Sequence, residues 1–223
     1  MGDNKEMKMQ RMQSFDGMQL SENAYNAAIG LTLLWGILIN VLMAKLLTPY
    51  IIQIDYRLTL VLYLVISLAC IIVIGKSHNP VFSFLGFTGL AAGMGLLLTS
   101  YLTYFSGHTI YSAFLATGII VVAMMLVSMF YPAFFLSIGR TLLFSLLGSI
   151  VIEVIGGLIF RLPLGFMDYV VVVIFAGYIG YDWAKAQAYP KTLDNAIDSA
   201  ADIYVDIINI FIRILSIIGK KND

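Results

Sequence analysis

The sequence predicts an all-α polytopic membrane protein with seven transmembrane helices, and three observations carry that prediction. The chain has 223 residues, of which 60% are hydrophobic and only 12% charged, with a strongly positive mean hydropathy. That balance lies outside the range of soluble domains. Between Lys76 and Arg140 there is no Asp, Glu, Lys or Arg. Runs such as TLVLYLVISLACIIVIG lack the alternation that a membrane β-barrel requires.

Residues 1–24 are polar and Met-rich. They hold no apolar core of about 7 to 15 residues, so they read as a tail rather than a cleavable signal peptide. Seven stretches follow, near 25–47, 58–75, 81–105, 109–131, 139–160, 166–186 and 196–218. Each can span roughly 30 Å of hydrocarbon at about 1.5 Å per residue. They form a seven-helix domain over 25–219, with 220–223 as a C-terminal tail. Asn40 in the first stretch and Asn209 in the last are expected to bridge helices. Cys70, the lone cysteine, excludes an intramolecular disulfide and reads as a small packing residue. In the third stretch, Gly86, Gly89, Gly93 and Gly95 have the small-residue spacing that lets helices approach closely. His78 and His108 fall in short connections with no ligand spacing and read as solvated. Short connections make consecutive helices antiparallel neighbours.

With the amino terminus inside, Lys5, Lys8, Arg11, Lys76, Arg140, Lys185 and Lys191 lie on the cytoplasmic side. Lys45, Arg57, Arg161, Lys220 and Lys221 lie on the other, and the bias favours that orientation. An odd number of spans then places the carboxyl terminus outside. Net charge is zero and no basic run suggests nucleic acid.

Function is sought among the carboxylates. Asp194, Asp198, Asp202 and Asp206 recur at every fourth position, so each sits about 6 Å farther along one slowly drifting helix face. Asp194 and Asp198 fall in the first turns, where acidic residues meet the helix dipole favourably. They read as capping and solvated positions, with Thr192 or Asp194 as N-cap. Asp202 is open between that role and a functional one. Asp206, in ADIYVDIINIFIRIL, and Asp182, in GYIGYDWAKAQAYP, lie deep in apolar surroundings, where a charged Asp costs on the order of 2.5 to 3.5 kcal/mol. Each needs a partner, a proton or a cation. Arg213, two turns beyond Asp206, is one candidate partner. If Asp182 and Asp206 face one another, desolvation and like-charge repulsion make the pair hold its last proton near neutral pH. Deprotonated, the two offer hard oxygen ligands suited to a transient Ca²⁺. A hairpin centred near residue 192 sets Asp182 level with Asp202 and Asp206 about one turn deeper. Glu153, in the fifth stretch, either lines a pathway, pairs with Arg213 or snorkels.

At these residues the chain resembles the Bax inhibitor-1 family, the proteins with the transmembrane Bax inhibitor motif. The likeness rests on VVVIFAGYIGYDWAKAQ, similar to the family's aromatic-rich YD signature, and on NAIDSAADIYVDIINIFIRILSIIG, similar to its last helix. Tyr25 shortly before AIGLTLLWG agrees with it. The likeness covers nearly the whole chain and is sharpest over about 170–219. It implies six helices surrounding a central C-terminal one, and a pH-sensitive Ca²⁺ leak with an aspartate pair as proton-sensing latch. Asp182 matches the YD aspartate and Asp206 the aspartate before IINIF. Similar proteins engage the latch with an arginine and an acid on the second helix, which this chain lacks. Lys76 is its nearest basic stand-in, with Arg213 and Glu153 as substitutes and Asp202 as a modifier.

Two further function classes compete with the leak. A non-transporting protein that regulates a membrane protease or a stress or cell-death pathway would use the polar tail and the glycine-rich third helix as contact surfaces. An intramembrane aspartyl protease also pairs two aspartates, but GxGD and PAL motifs are absent, so an enzyme is not expected. No tightly bound cofactor is expected, and the partners are the bilayer, Ca²⁺, protons and, in the second class, a membrane protein. Without sorting signals, a bacterial cytoplasmic membrane is the expected location.

Overall fold

A computed structural model describes residues 19–160 and 165–222, and every regular element among them is helical. In chain order these are α1 (Glu22–Leu46), the short α2 (Thr48–Ile51), α3 (Tyr56–Lys76), α4 (Pro80–Leu102), α5 (Gly107–Phe130), the short α6 (Pro132–Ser137), α7 (Gly139–Ile152), α8 (Met167–Ala188) and α9 (Leu193–Asn222). α7 continues as a π-helical segment, Glu153–Ile159, with the Phe160 backbone N–H donating to the Ile155 carbonyl at 3.2 Å. Most of the expected tail, residues 1–18, lies outside the described residues, as does Arg161. Glu22, Asn23 and Ala24 are already the first turn of α1.

Short polar connections start the helices. Ser21 Oγ accepts from the Ala24 N–H at 3.3 Å, and Asp55 Oδ1 from the Arg57 N–H at 2.9 Å. Asn79 Oδ1 accepts from the Val81 N–H at 2.9 Å, and Ser106 Oγ from the Thr109 N–H at 3.1 Å. Each satisfies an amide that the first helical turn leaves open. Pro80 at the first position of α4 loses nothing by lacking an N–H. Both histidines are exposed; His78 lies in a connection as expected, whereas His108 stands in the first turn of α5, its Nδ1 3.2 Å from Ser112 Oγ.

Five helices are long and apolar enough to cross a membrane: Glu22–Leu46, Arg57–Lys76, Pro80–Leu102, Gly107–Phe130 and Gly139–Gly157. They coincide with the first five expected stretches. α8 and α9 are long, at 22 and 30 residues, but they carry the buried carboxylates and are not among those five. Leu58, Val61, Val65, Leu68 and Ile72 of α3 are exposed at three- and four-residue spacing. An apolar stripe of that size belongs against lipid rather than water.

The helices group into two compact units, the first being Met1–Tyr104 with Ala188–Asp202, and the second Phe105–Gln187 with Ile203–Asp223. In the first unit, α4 packs on α3 and α1 through its glycines. A Cβ on Gly86 would lie 2.8 Å from Ile74 Cγ1 and 3.4 Å from the Cys70 carbonyl, and one on Gly89 would lie 2.6 Å from Cys70 Sγ. One on Gly95 would lie 2.5 Å from Met43 Sδ of α1. The glycine face of this helix is therefore covered by its own chain. Trp35 Nε1 of α1 also donates to Thr88 Oγ1 of α4 at 3.1 Å. Gly86→Leu is expected to push α3 from α4 at a cost of about 1–3 kcal/mol, read as a lower melting temperature in detergent. Asn40 Nδ2 donates to the Gly36 carbonyl at 2.6 Å. Asn209 Nδ2 donates to the Val205 carbonyl at 2.8 Å, within its own helix rather than across to another.

In the second unit, α8 packs on α6 and α7 through two glycines of its YD segment. Gly180 lies beneath the Phe135 ring, and a Cβ on Gly177 would lie 2.7 Å from Leu142 Cδ2. Ser128 Oγ of α5 donates to the Gly180 carbonyl at 2.6 Å. These close contacts fix α8, and with it Asp182.

Candidate functional site

Pro190 ends the α8 direction, and Thr192 begins the next helix. Thr192 Oγ1 accepts from the Asn195 N–H at 3.2 Å, and Asn195 Nδ2 donates back to the Pro190 carbonyl at 3.0 Å. Of the two expected N-caps, Thr192 holds that role. Asp194, in the first turn, accepts from Ser83 Oγ at 2.6 Å. Tyr25, fully buried, places its Oη 3.4 Å from the Asn195 carbonyl and 3.3 Å from Ser199 Oγ. The small residues Ala196, Ser199 and Ala200 are buried with it. Asp194 and Asp198 are consequently 7% and 2% exposed, which corrects the expectation of a solvated face. The dipole argument for these residues holds, but tertiary packing covers them. Lys191 Nζ lies 4.6 Å from the Tyr25 ring centre. Burial lowers its pKa from the ordinary lysine value, and the Glu22 carboxylate opposes that shift.

The second unit holds Asp182, Asp206, Glu153 and Arg213. Asp182 is 6% exposed and Asp206 5%. Lys185, one turn along α8, donates from Nζ to Asp182 Oδ1 at 2.6 Å and lies 5.3 Å from the Tyr181 ring centre. Tyr178 lies in the electrostatic field of both Asp206 and Asp182, with Asp206 the stronger influence. The register agrees: Ser216 Oγ opposite Asp168 Oδ2, at 2.9 Å, brings Asp206 opposite Tyr178 in an antiparallel pair, one turn from Asp182. That register sets Asp206 about one turn from Asp182, the offset that the hairpin geometry implies. Asp202 is half-buried and groups with the first unit, as does Lys76, exposed at the last turn of α3.

Glu153 pairs with Arg213, one of its three expected fates. Arg213 Nη1 and Nη2 donate to Glu153 Oε1 and Oε2 at 2.6 and 2.8 Å, a bidentate fork. Nη1 also donates to Asp168 Oδ1 at 2.9 Å. Arg213 therefore does not take Asp206 as its partner. It lies about 10 Å farther along the same helix, and its guanidinium reaches sideways to α7 and α8. Asp168, Tyr178 and Lys185 are absent from the sequence-based candidates. The aspartate of MDYVVVV reads as a first-turn acid that favours the dipole, and this hid its second role. Among the described residues, no group of three or more His, Cys, Asp and Glu is placed to hold a metal ion.

No curated protein matches the chain. The profile of the family described as "Inhibitor of apoptosis-promoting Bax1" matches residues 18–223. The match takes in every described helix, including the segments that hold Asp182 and Asp206, and the chain belongs to the Bax inhibitor-1 family.

Proposed function

We propose that the chain is a pH-sensitive Ca²⁺ leak with seven membrane spans, controlled by Asp182 and Asp206. The observation that carries this reading is the burial of both carboxylates, on α8 and α9, in a register that sets them about one turn apart. Two like charges in a low-dielectric space repel strongly, and one retained proton removes that repulsion. The closed state binds more protons, so acid favours closure and the leak rises with pH. Lys185 offsets one of the two charges. When open, the carboxylates offer hard oxygens to a passing cation, too few to hold Ca²⁺ tightly. The family membership and the burial of Ile203, Tyr204, Ile210 and Leu215 of α9 support a central last helix.

The exposed apolar stripes place the protein in a bilayer, for which we propose the bacterial cytoplasmic membrane, amino terminus inside. No bond is made or broken in this mechanism, so the protein acts without enzyme chemistry. Reconstitution into liposomes holding a Ca²⁺ dye tests it. The leak is expected to rise from about pH 6 to about pH 8, by up to about tenfold per unit for a one-proton switch. Liposomes no leakier than protein-free ones would contradict it.

A further inference from the structure

Three helical elements of the second unit meet at one guanidinium. Glu153 stands where α7 turns π-helical, Asp168 in the first turn of α8, and Arg213 in the later half of α9. The Glu153 fork and the Asp168 contact use both terminal nitrogens of Arg213. Ser216, three residues on and so on the same helix face, donates to the other Asp168 oxygen at 2.9 Å. Asp168 is buried and the Arg213 and Glu153 side chains are only partly exposed. One Nη1 holds two carboxylates at 2.6 and 2.9 Å. Without it they would face each other unscreened.

The arrangement ties the same two helices as the aspartate pair, at a second point. On α8, Asp168 lies about 21 Å from Asp182; on α9, Arg213 lies about 10 Å from Asp206. A helix moves nearly as a rod, so α9 cannot carry Asp206 away from α8 without pulling on Arg213. The π-helical turn at Glu153 is the less regular partner. Such segments are rare and metastable and concentrate at functional positions.

We propose that Arg213 is a second, proton-independent clamp on the leak, with Asp168 and Ser216 as its positioning residues. It holds α9 to α7 and α8 in the closed state and must part when the channel opens. The clamp rests on the leak reading for its consequence but not for its geometry. An arginine between two carboxylates stays charged throughout the physiological range. While Glu153 and Asp168 stay ionised, its strength is constant as the aspartate pair titrates.

The test uses the full chain in liposomes, with a spin-label pair as a readout independent of flux. Arg213→Gln is expected to raise the leak about tenfold at acid and alkaline pH alike, with the midpoint of the pH response unmoved. Arg213→Lys, which keeps the charge but loses the fork, is expected to fall between. Arg213→Gln with wild-type leak overturns the clamp. If the wild type does not leak, the leak reading fails and the clamp is judged by labels at Ile152→Cys and Ile217→Cys in a Cys70→Ser background. Their distance distribution is expected to broaden in Arg213→Gln, and an unchanged distribution overturns the clamp. Should Arg213→Gln not fold, Asp168→Asn, which leaves the Glu153 fork in place, decides by the same readings with a smaller expected rise.

Discussion

Replacing Asp182 and Asp206 together by asparagine is expected to give a folded protein whose Ca²⁺ leak no longer responds to pH. Asparagine is nearly isosteric with aspartic acid, keeps a hydrogen-bonding amide and takes up no proton in the physiological range. The wild-type response comes from the difference in protons bound by the closed and open states. Removing both carboxylates removes that difference and the repulsion that opens the latch. The leak is expected to stay near its acid-side level and to vary less than about twofold from pH 6 to 8, against up to about tenfold per unit in the wild type. The burial of both carboxylates predicts a second effect. Asp206→Asn relieves the cost of an intramembrane charge, whereas Asp182→Asn takes a carboxylate from Lys185, so the Asp206→Asn protein is expected to melt no lower than the wild type and the double variant below it. A dye-release series across pH, with thermal melts on the same preparations, checks both.

Replacing Lys185 by methionine is expected to shift the pH response without abolishing it. Its Nζ lies 2.6 Å from Asp182 Oδ1, where a cation favours the charged carboxylate. Methionine keeps the length and apolar stem of the side chain and removes the charge. Asp182 then retains its proton to higher pH, and the closed state persists with it. The midpoint is expected to rise by about one pH unit, equivalent to about 1.4 kcal/mol. At a fixed pH near the wild-type midpoint this reads as a several-fold lower leak. A midpoint that stays in place or moves to lower pH would show that Lys185 does not act on the pair.

Long apolar helices are the part of this fold most plainly written in the sequence. A lipid-facing span such as α3 needs no particular neighbour to be apolar, so composition alone locates it. The last two helices are harder, because α9 is buried by protein. Its polar residues are satisfied by partners distant in sequence, as Ser83 satisfies Asp194. For the same reason Asp194 and Asp198 read as solvated. Spacing along one helix gives the face they share, but the Tyr25 and Ser83 side chains that cover it come from other helices. Asp182 and Asp206 stand out because an apolar context makes a charge conspicuous. Asp168 does not, since an acid at a helix start has an ordinary explanation. The π-helical turn at Glu153–Ile159 has no signature beyond the pair Gly156 and Gly157. Nothing in the local sequence shows the guanidinium that arrives from Arg213, 60 residues away.

The pair's protonation is measured most directly by infrared difference spectroscopy of the reconstituted protein between acid and alkaline pH. A protonated-carboxyl C=O stretch is expected at acid pH and is expected to disappear over the same range in which the leak rises. The band is expected to be lost in the Asp182→Asn, Asp206→Asn protein and to shift its midpoint upward in Lys185→Met. A band that persists unchanged in the double variant, or a wild-type leak that responds to pH with no such band, would contradict control of the leak by the pair.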